Sequence, residues 1–288
     1  MMKKILYILI FSLVLVSCGE YNKILKSTDY ELKYTYAKKY FEEKKYGRAI
    51  TLLEELMPIF KGTSHAEESL YLLAQSFFLD KNYETASQYY KVYYTTYPKG
   101  EYAEASRFGA AYSMYLDSPD PRLDQRSTYV AIQEFQNFLE YYPQSDKVQL
   151  AQEYMFELQD KLAYKDFMAA RLYYNLGNYM GNNYEACVVT SREALKSYPF
   201  SKFAEEFQIL IVRSRFELAV NSIDERKPIR FRDVIDEHFN YLNMFPEGKY
   251  MKEVTKMYRQ SLKELGEKVD AETETTIEEA GEGDILIK

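Results

Sequence analysis

The sequence predicts an all-α chain built from repeated helix pairs, and three observations carry that expectation. Across residues 30–265 the apolar residues recur at spacings of three and four, with no alternating run long enough for a strand. The 11 Gly and 8 Pro act as punctuation between such segments. Finally, Tyr97-Pro98, Tyr142-Pro143, Tyr198-Pro199 and Phe245-Pro246 each follow an amphipathic segment rich in aromatics, where proline is a stop signal.

Taken in order, residues 1–17 begin with Lys3 and Lys4, pass through a 12-residue apolar run and end in small residues. That is the layout of a secretory signal peptide, too short for the ~20 residues of a membrane span. Its ending, Leu15-Val16-Ser17-Cys18, resembles a bacterial lipobox, in which cleavage precedes a cysteine carrying a diacylglycerol. The mature chain is then expected to start at lipidated Cys18, with residues 18–29 as a tether, anchored to a membrane rather than crossing it. Cys187 is the only other cysteine, so no internal disulfide is expected. Asp does not follow Cys18 directly, which favours outer-membrane sorting.

The helix pairs emerge from small residues twelve apart. Twelve residues before Pro98 stands Ala86, with Tyr90 and Tyr93 after it; twelve before Pro143 stands Ala131, with Phe135 and Phe138. Ala74 precedes Ala86 by twelve, and Ala37 precedes Ala49 likewise, each flanked by large aromatics. Small residues let two antiparallel helices approach while large neighbours fill the groove between repeats, which is the tetratricopeptide (TPR) pattern. Units one and two are expected at 34–58 and 71–98. A third runs from Phe108 to Pro143 with an enlarged loop at 117–128, and a fourth from Ala170 to Pro199. The fourth keeps Tyr184-Glu185-Ala186 but has Tyr174 where a small residue belongs, with Ala170 and Gly177 offered on the same face instead. The fifth, 204–246, has a long connection at 221–232 and a second helix bearing Val234, His238 and Tyr241. Met251, Val254, Tyr258, Leu262 and Leu265 form a last apolar stripe suited to closing the solenoid. From Gly266 eight acids meet two lysines, the composition of a disordered tail. The expected division is therefore 30–144 for units one to three, 145–265 for units four, five and the closing helix, and 266–288 for the tail.

Composition narrows function. With 37 Lys+Arg against 44 Asp+Glu there is no general attraction to nucleic acid. Only two histidines, His65 and His238, occur, and no acid–base–nucleophile cluster or phosphate-binding loop, so neither an enzyme nor a metal site is expected, and no cofactor beyond the lipid on Cys18. His238 reads as a packed residue, His65 as part of a helix cap, and Cys187 as a small buried hydrophobe.

A TPR array offers the face of its first helices as an interaction surface. Positions three before, one after and four after the small residue are Tyr34, Lys38 and Phe41, then Tyr71, Gln75 and Phe78, then Phe108, Tyr112 and Tyr115. All but Lys38 and Gln75 are Tyr or Phe, which suits an extended peptide carrying aromatic side chains. Two basic groups, Arg122 with Arg126 and Arg226 with Lys227, Arg230 and Arg232, are assigned to long loops where they are solvated or dock an acidic partner.

The lipobox, five TPR-like units, Ala170-Arg171-Leu172-Tyr173-Tyr174 and the Tyr-Pro helix ends together resemble the BamD (YfiO-like) family of outer-membrane assembly lipoproteins, over residues 18–265. The loop from Asp117-Ser118-Pro119 to Asp124-Gln125 looks like the form seen in Bacteroidetes members. The resemblance implies a non-enzymatic subunit of the β-barrel assembly (BAM) machinery, lipid-anchored in the outer membrane with its body in the periplasm. It also implies that the C-terminal half holds the POTRA domains of BamA, while the N-terminal repeats receive the C-terminal signal of unfolded outer-membrane β-barrel proteins. Two alternatives stay open: a pilotin-like TPR lipoprotein assisting secretin assembly, and a SusD-like glycan-binding lipoprotein, although sugar platforms favour the Trp missing here.

Overall fold

A computed structural model describes residues 19–268. The signal segment, Cys18 and residues 269–288 of the acidic tail lie outside the described residues. All regular structure among the described residues is helical, as the periodicity requires. After a helical stretch at 19–25 come α1 (Tyr30–Glu42), α2 (Tyr46–Phe60), α3 (Ala66–Leu79), α4 (Tyr83–Thr96), α5 (Ala103–Asp117), α6 (Arg126–Tyr141), α7 (Val148–Leu176), α8 (Asn183–Ser197), α9 (Ala204–Val220), α10 (Lys227–Met244) and α11 (Met251–Leu265). The fold is a TPR-like series of helix pairs. The chain divides into two compact units between Leu158 and Gln159, inside the 29-residue α7, whereas 144 lies in the loop before that helix.

In the first unit each helix from α1 to α6 packs on its chain neighbours. The small-residue markers Ala37, Ala49, Ala74, Ala86, Ala111 and Ala131 are all fully buried, where helix backbones come closest. Residues 19–25 are not a loose tether. Ile24 is seated in the first core, Tyr21 packs edge-on against Tyr40 at 5.7 Å, and Tyr36 donates to Glu20 at 2.9 Å. Pro58 does not end unit one either: α2 continues through it to Phe60, and Lys61, twelve residues after Ala49, is the C-cap.

The other prolines act as expected. Tyr97, Tyr142, Tyr198 and Phe245 are C-caps with φ between −122° and −139° and ψ of 60° to 67°, because the following proline ring excludes the helical conformation. Counting twelve back from Pro199 reaches Cys187, fully buried, rather than the half-buried Ala186. Cys187 is thus the small residue of α8, and Val234, twelve before Pro246 and fully buried, is its counterpart in α10. Gly177 does not share a helical face with Ala170; it follows the last residue of α7 with φ +54°, and a Cβ there would meet the Tyr184 hydroxyl at 2.8 Å. Glycine lets the helix end against that ring.

Four turns share one hydrogen-bonding device. At 97–102 the Tyr93 hydroxyl donates to Glu67 and accepts from the Tyr102 N–H at 3.0 Å. At 245–250 the Tyr241 hydroxyl donates to Glu205 at 2.6 Å and accepts from the Tyr250 N–H at 3.0 Å. At the two remaining turns the helix position holds Phe138 or Ala194, and a turn serine supplies the hydroxyl. Ser145 donates to Glu104 at 2.6 Å and accepts from Lys147 N–H at 3.1 Å; Ser201 donates to Asp160 at 2.6 Å and accepts from Phe203 N–H at 3.2 Å. Where tyrosine supplies the hydroxyl, the serine position is Gly100 or Gly248, since a Cβ at Gly100 would lie 2.7 Å from the Tyr93 hydroxyl. The arrangement satisfies N–H groups at the start of the next helix, which lack intrahelical partners.

Lys33 is buried on α1, 2% exposed, with its ammonium 2.5 Å from Glu55 of α2, which is 42% exposed. Removing one partner of such a pair costs more than replacing the buried charge by an apolar chain. Glu55→Ala is expected to destabilise the protein by about 1–2 kcal/mol, discounted for the exposed carboxylate. Lys33→Met should be neutral or stabilising, and urea denaturation of both variants distinguishes the signs.

In the second unit α9 packs on α8 and α10, and α11 closes against α10 and touches α9. Its cores join Cys187, Ala194, Phe207 and Leu210, then Ile209, Val212, Tyr241, Met251 and Val254, then Ala219, Phe231 and Val234. Val254, Tyr258 and Leu262 of the closing stripe are buried, and Leu265 is partly buried. His238 is fully buried and stacked on Tyr258 at 4.2 Å.

Candidate functional site

The nine residues read as a peptide-binding face lie on α1, α3 and α5 of the first unit, and the structure sorts them into three groups. Tyr34 is not available to a ligand: it is 3% exposed and packs edge-on against Phe60 at 5.4 Å and beside His65 at 4.8 Å. Burial, with the Glu68 carboxylate nearby, pushes its hydroxyl pKa up. A residue three before the small alanine faces the second helix of its own pair, and here the end of α2 encloses it. Lys38 lies 4.5 Å above the Tyr34 ring and 3.5 Å from Glu68, while Phe41 packs on Tyr46 at 5.8 Å. His65 stands at the N-cap of α3 but makes no cap bond; its Nε2 lies 3.2 Å from Glu31.

Tyr71 forms a second group. It stacks on Tyr102 at 4.2 Å, its hydroxyl accepts from Gln75 at 2.9 Å, and burial raises its pKa. These contacts tie it to the turn device around Tyr93.

The remaining four, Phe78, Phe108, Tyr112 and Tyr115, form one run of rings. Phe78 is 5.8 Å from Tyr112, which stands 5.9 Å from Phe108 and 5.8 Å from Tyr115. A fifth ring completes the run: Tyr154 of α7 lies 4.3 Å from Tyr115 and 5.3 Å from Tyr112. All five are half-buried. The Tyr115 hydroxyl donates to Glu157 at 2.5 Å, and burial followed by that bond raises its pKa, so it stays a neutral donor. Lys147 brings its ammonium to 5.7 Å from the Phe108 ring centre. The arrangement offers stacked apolar faces, hydroxyl edges and one cation, which is chemistry for holding an aromatic, anionic chain end. Tyr154 was not singled out because the fourth unit was read only from Ala170 onward; its place on the Ala151, Tyr154, Met155 and Leu158 stripe was the signal available.

Most of the basic residues assigned to long loops stand in helices instead. Only Arg122 and Arg226 lie outside helices. Arg122 pairs with Asp120 at 2.9 Å, and Arg126 is the first residue of α6. Lys227, Arg230 and Arg232 belong to α10: Lys227 reaches Asp224 at 2.8 Å, and Arg230 caps α9 through the Leu218 carbonyl at 3.0 Å and Ser222 at 2.7 Å. Cys187 is enclosed, and burial pushes its thiol pKa up, away from reactivity.

Among the described residues no helix is long and apolar enough to cross a membrane. No curated protein matches the chain. The family model for YfiO, described as an outer membrane lipoprotein, matches residues 27–183, more than half of the sequence, and covers every residue of the ring run. The chain therefore belongs to the YfiO family of outer membrane lipoproteins.

Proposed function

We propose that this protein is a non-enzymatic subunit of the β-barrel assembly machinery, anchored in the outer membrane through a lipid on Cys18 with its body in the periplasm. Its first unit receives the C-terminal segment of unfolded β-barrel proteins, and its second unit holds the POTRA domains of BamA. The observation that carries the reading is the run of five half-buried rings from Phe78 to Tyr154 beside Lys147. A barrel strand ending in an aromatic residue and a carboxylate would find ring faces for the one and the Lys147 ammonium for the other. Exposed apolar residues at turns of the second unit, Met180 and Phe200 at 89% each, suit a protein partner.

A fluorescent peptide ending in phenylalanine tests the face. Tyr112→Ala combined with Tyr154→Ala is expected to weaken binding at least tenfold. Lys147→Glu should weaken the free-acid peptide but barely change its amide. Unchanged affinity in the double variant, with the melting curve preserved, rejects the face. Recovery of a POTRA-containing barrel protein from envelope extracts tests the second half separately.

A further inference from the structure

The ring run has a cation at one end and an acid at the other. Phe108, Tyr112 and Tyr115 follow one another on α5 at spacings of four and three, which puts them on one face of the helix. Lys147, just before α7, stands by Phe108; Tyr154 lies beside Tyr112 and Tyr115, and Glu157 meets the Tyr115 hydroxyl. Residue numbers rise together along both helices, so α5 and α7 run in the same direction past the rings. Lys147 and Glu157 are ten residues apart on that line, about 15 Å of helical rise.

Neither charge is used up within the protein. The Lys147 ammonium enters no ion pair among the described residues, and Glu104, an acid on the Phe108 side, is taken by the Ser145 hydroxyl at 2.6 Å. Arg107, the neighbouring cation, is engaged over the Tyr94 and Tyr141 rings at 4.2 and 3.6 Å. At the other end Glu157 is exposed, and among the described residues only one of its oxygens, Oε2, is used, by Tyr115. Glu153, one turn earlier on α7, accepts from Gln149 at 3.0 Å and adds a second acid on that face.

An extended chain end fits this polarity in one direction. With its carboxylate at Lys147 and its terminal ring on Phe108 and Tyr112, it runs back towards Tyr115, Tyr154 and Glu157. Side chains of an extended segment alternate between faces, so the second and fourth residues before the terminal ring share its face, and the fourth stands about 13 Å away, level with Glu157. On the reading of this face as a receptor for chain ends, we propose that it selects segments carrying Lys or Arg four residues before the terminal aromatic, with Glu157 receiving that cation and Lys147 the carboxylate. The rings alone accept either direction; the two charges fix direction and register. An acid at the fourth position is disfavoured, because it faces Glu157 and Glu153.

Two fluorescent peptides, each ending in phenylalanine with a free carboxylate and differing only in Lys or Glu four residues before it, are titrated against the protein. The lysine peptide is expected to bind about threefold to fivefold more tightly, the range open to an exposed ion pair. Glu157→Gln, which keeps an acceptor for the Tyr115 hydroxyl, should bring the two affinities together, and Glu157→Lys should reverse their order. The same exchange three residues before the ring, on the opposite face, should change affinity by less than about twofold. Position 157 is exposed, and matching thermal melts verify folding. Equal affinities, a preference that persists in Glu157→Gln, or one as large at the third position overturns the selection but leaves the receptor reading standing when Tyr112→Ala with Tyr154→Ala still weakens both peptides. Peptides that ignore that double variant, or do not bind, overturn the receptor reading and the selection with it.

Discussion

Gly248→Ala is expected to lower the melting temperature by about 8 °C, because its new Cβ would enter the space held by the Tyr241 hydroxyl and would lie 2.9 Å from the Glu205 carboxylate. Both belong to the partly buried chain Glu205, Tyr241, Tyr250 N–H, and displacing its central Tyr241 hydroxyl takes that partner from the other two. Overpacking together with a broken charge-assisted bond costs about 2–3 kcal/mol, and each kcal/mol shifts the midpoint of a chain this size by about 2–4 °C. The turns at Ser145 and Ser201 show how the same sequence position tolerates a side chain. There the helix residue is Phe138 or Ala194, and the serine hydroxyl occupies the role of the tyrosine hydroxyl. Gly248→Ser alone should therefore destabilise, and adding Tyr241→Phe should restore most of the loss, although Tyr241→Phe alone also destabilises by about 1–3 kcal/mol. Calorimetry of the two single variants and the double completes the cycle. A double variant that melts at or below both singles would show that the four turns are not interchangeable.

That device explains part of what was legible in the sequence. The Tyr-Pro and Phe-Pro steps marked the helix ends because proline acts on its immediate neighbour, a local effect that needs no tertiary information. The alanines marked close helix approaches for the same reason, since size alone decides who fits. Where the small residue was Cys187 instead of Ala186, counting back from Pro199 located it, and the neighbouring alanine misled. Identity of the five rings was partly readable: helical spacing found Phe78, Phe108, Tyr112 and Tyr115, but whether a tyrosine is enclosed depends on what the next helix brings. Tyr34 is enclosed by Phe60 and His65, and Tyr154 joins the run from α7, a helix whose 29-residue length no cap or proline announced. The long connection expected at 221–232 is shorter, because α10 already starts at Lys227 with Pro228 in its first turn. In the first turn of a helix proline gives up only an N–H that has no intrahelical partner.

Mild acid is expected to weaken the second unit through one residue, His238. Its imidazole is fully buried, stacked on Tyr258 at 4.2 Å, with neither ring nitrogen meeting a hydrogen-bond partner among the described residues. Burial lowers its pKa from 6.5 to about 4, because the charged ring would lose its water without gaining a counter-ion. The unfolded chain takes up a proton near pH 6.5 while the folded chain refuses it until about pH 4, so the unfolded state binds more protons in that window. Stability from the neutral ring is fully present above pH 6.5 and is lost as pH falls towards 4, by about 3 kcal/mol in all. His238→Phe keeps the stack on Tyr258 and removes both the titration and two buried polar nitrogens. The variant should melt a few degrees higher at pH 7.5. The gap between variant and parent should widen by about 6–12 °C on going to pH 4.5. Carboxylates titrate in both proteins and cancel in that difference, which leaves the histidine as its source. A gap that stays constant from pH 7.5 to 4.5 would mean that the ring is protonated in place, compensated by a rearrangement around Tyr258 and Phe239.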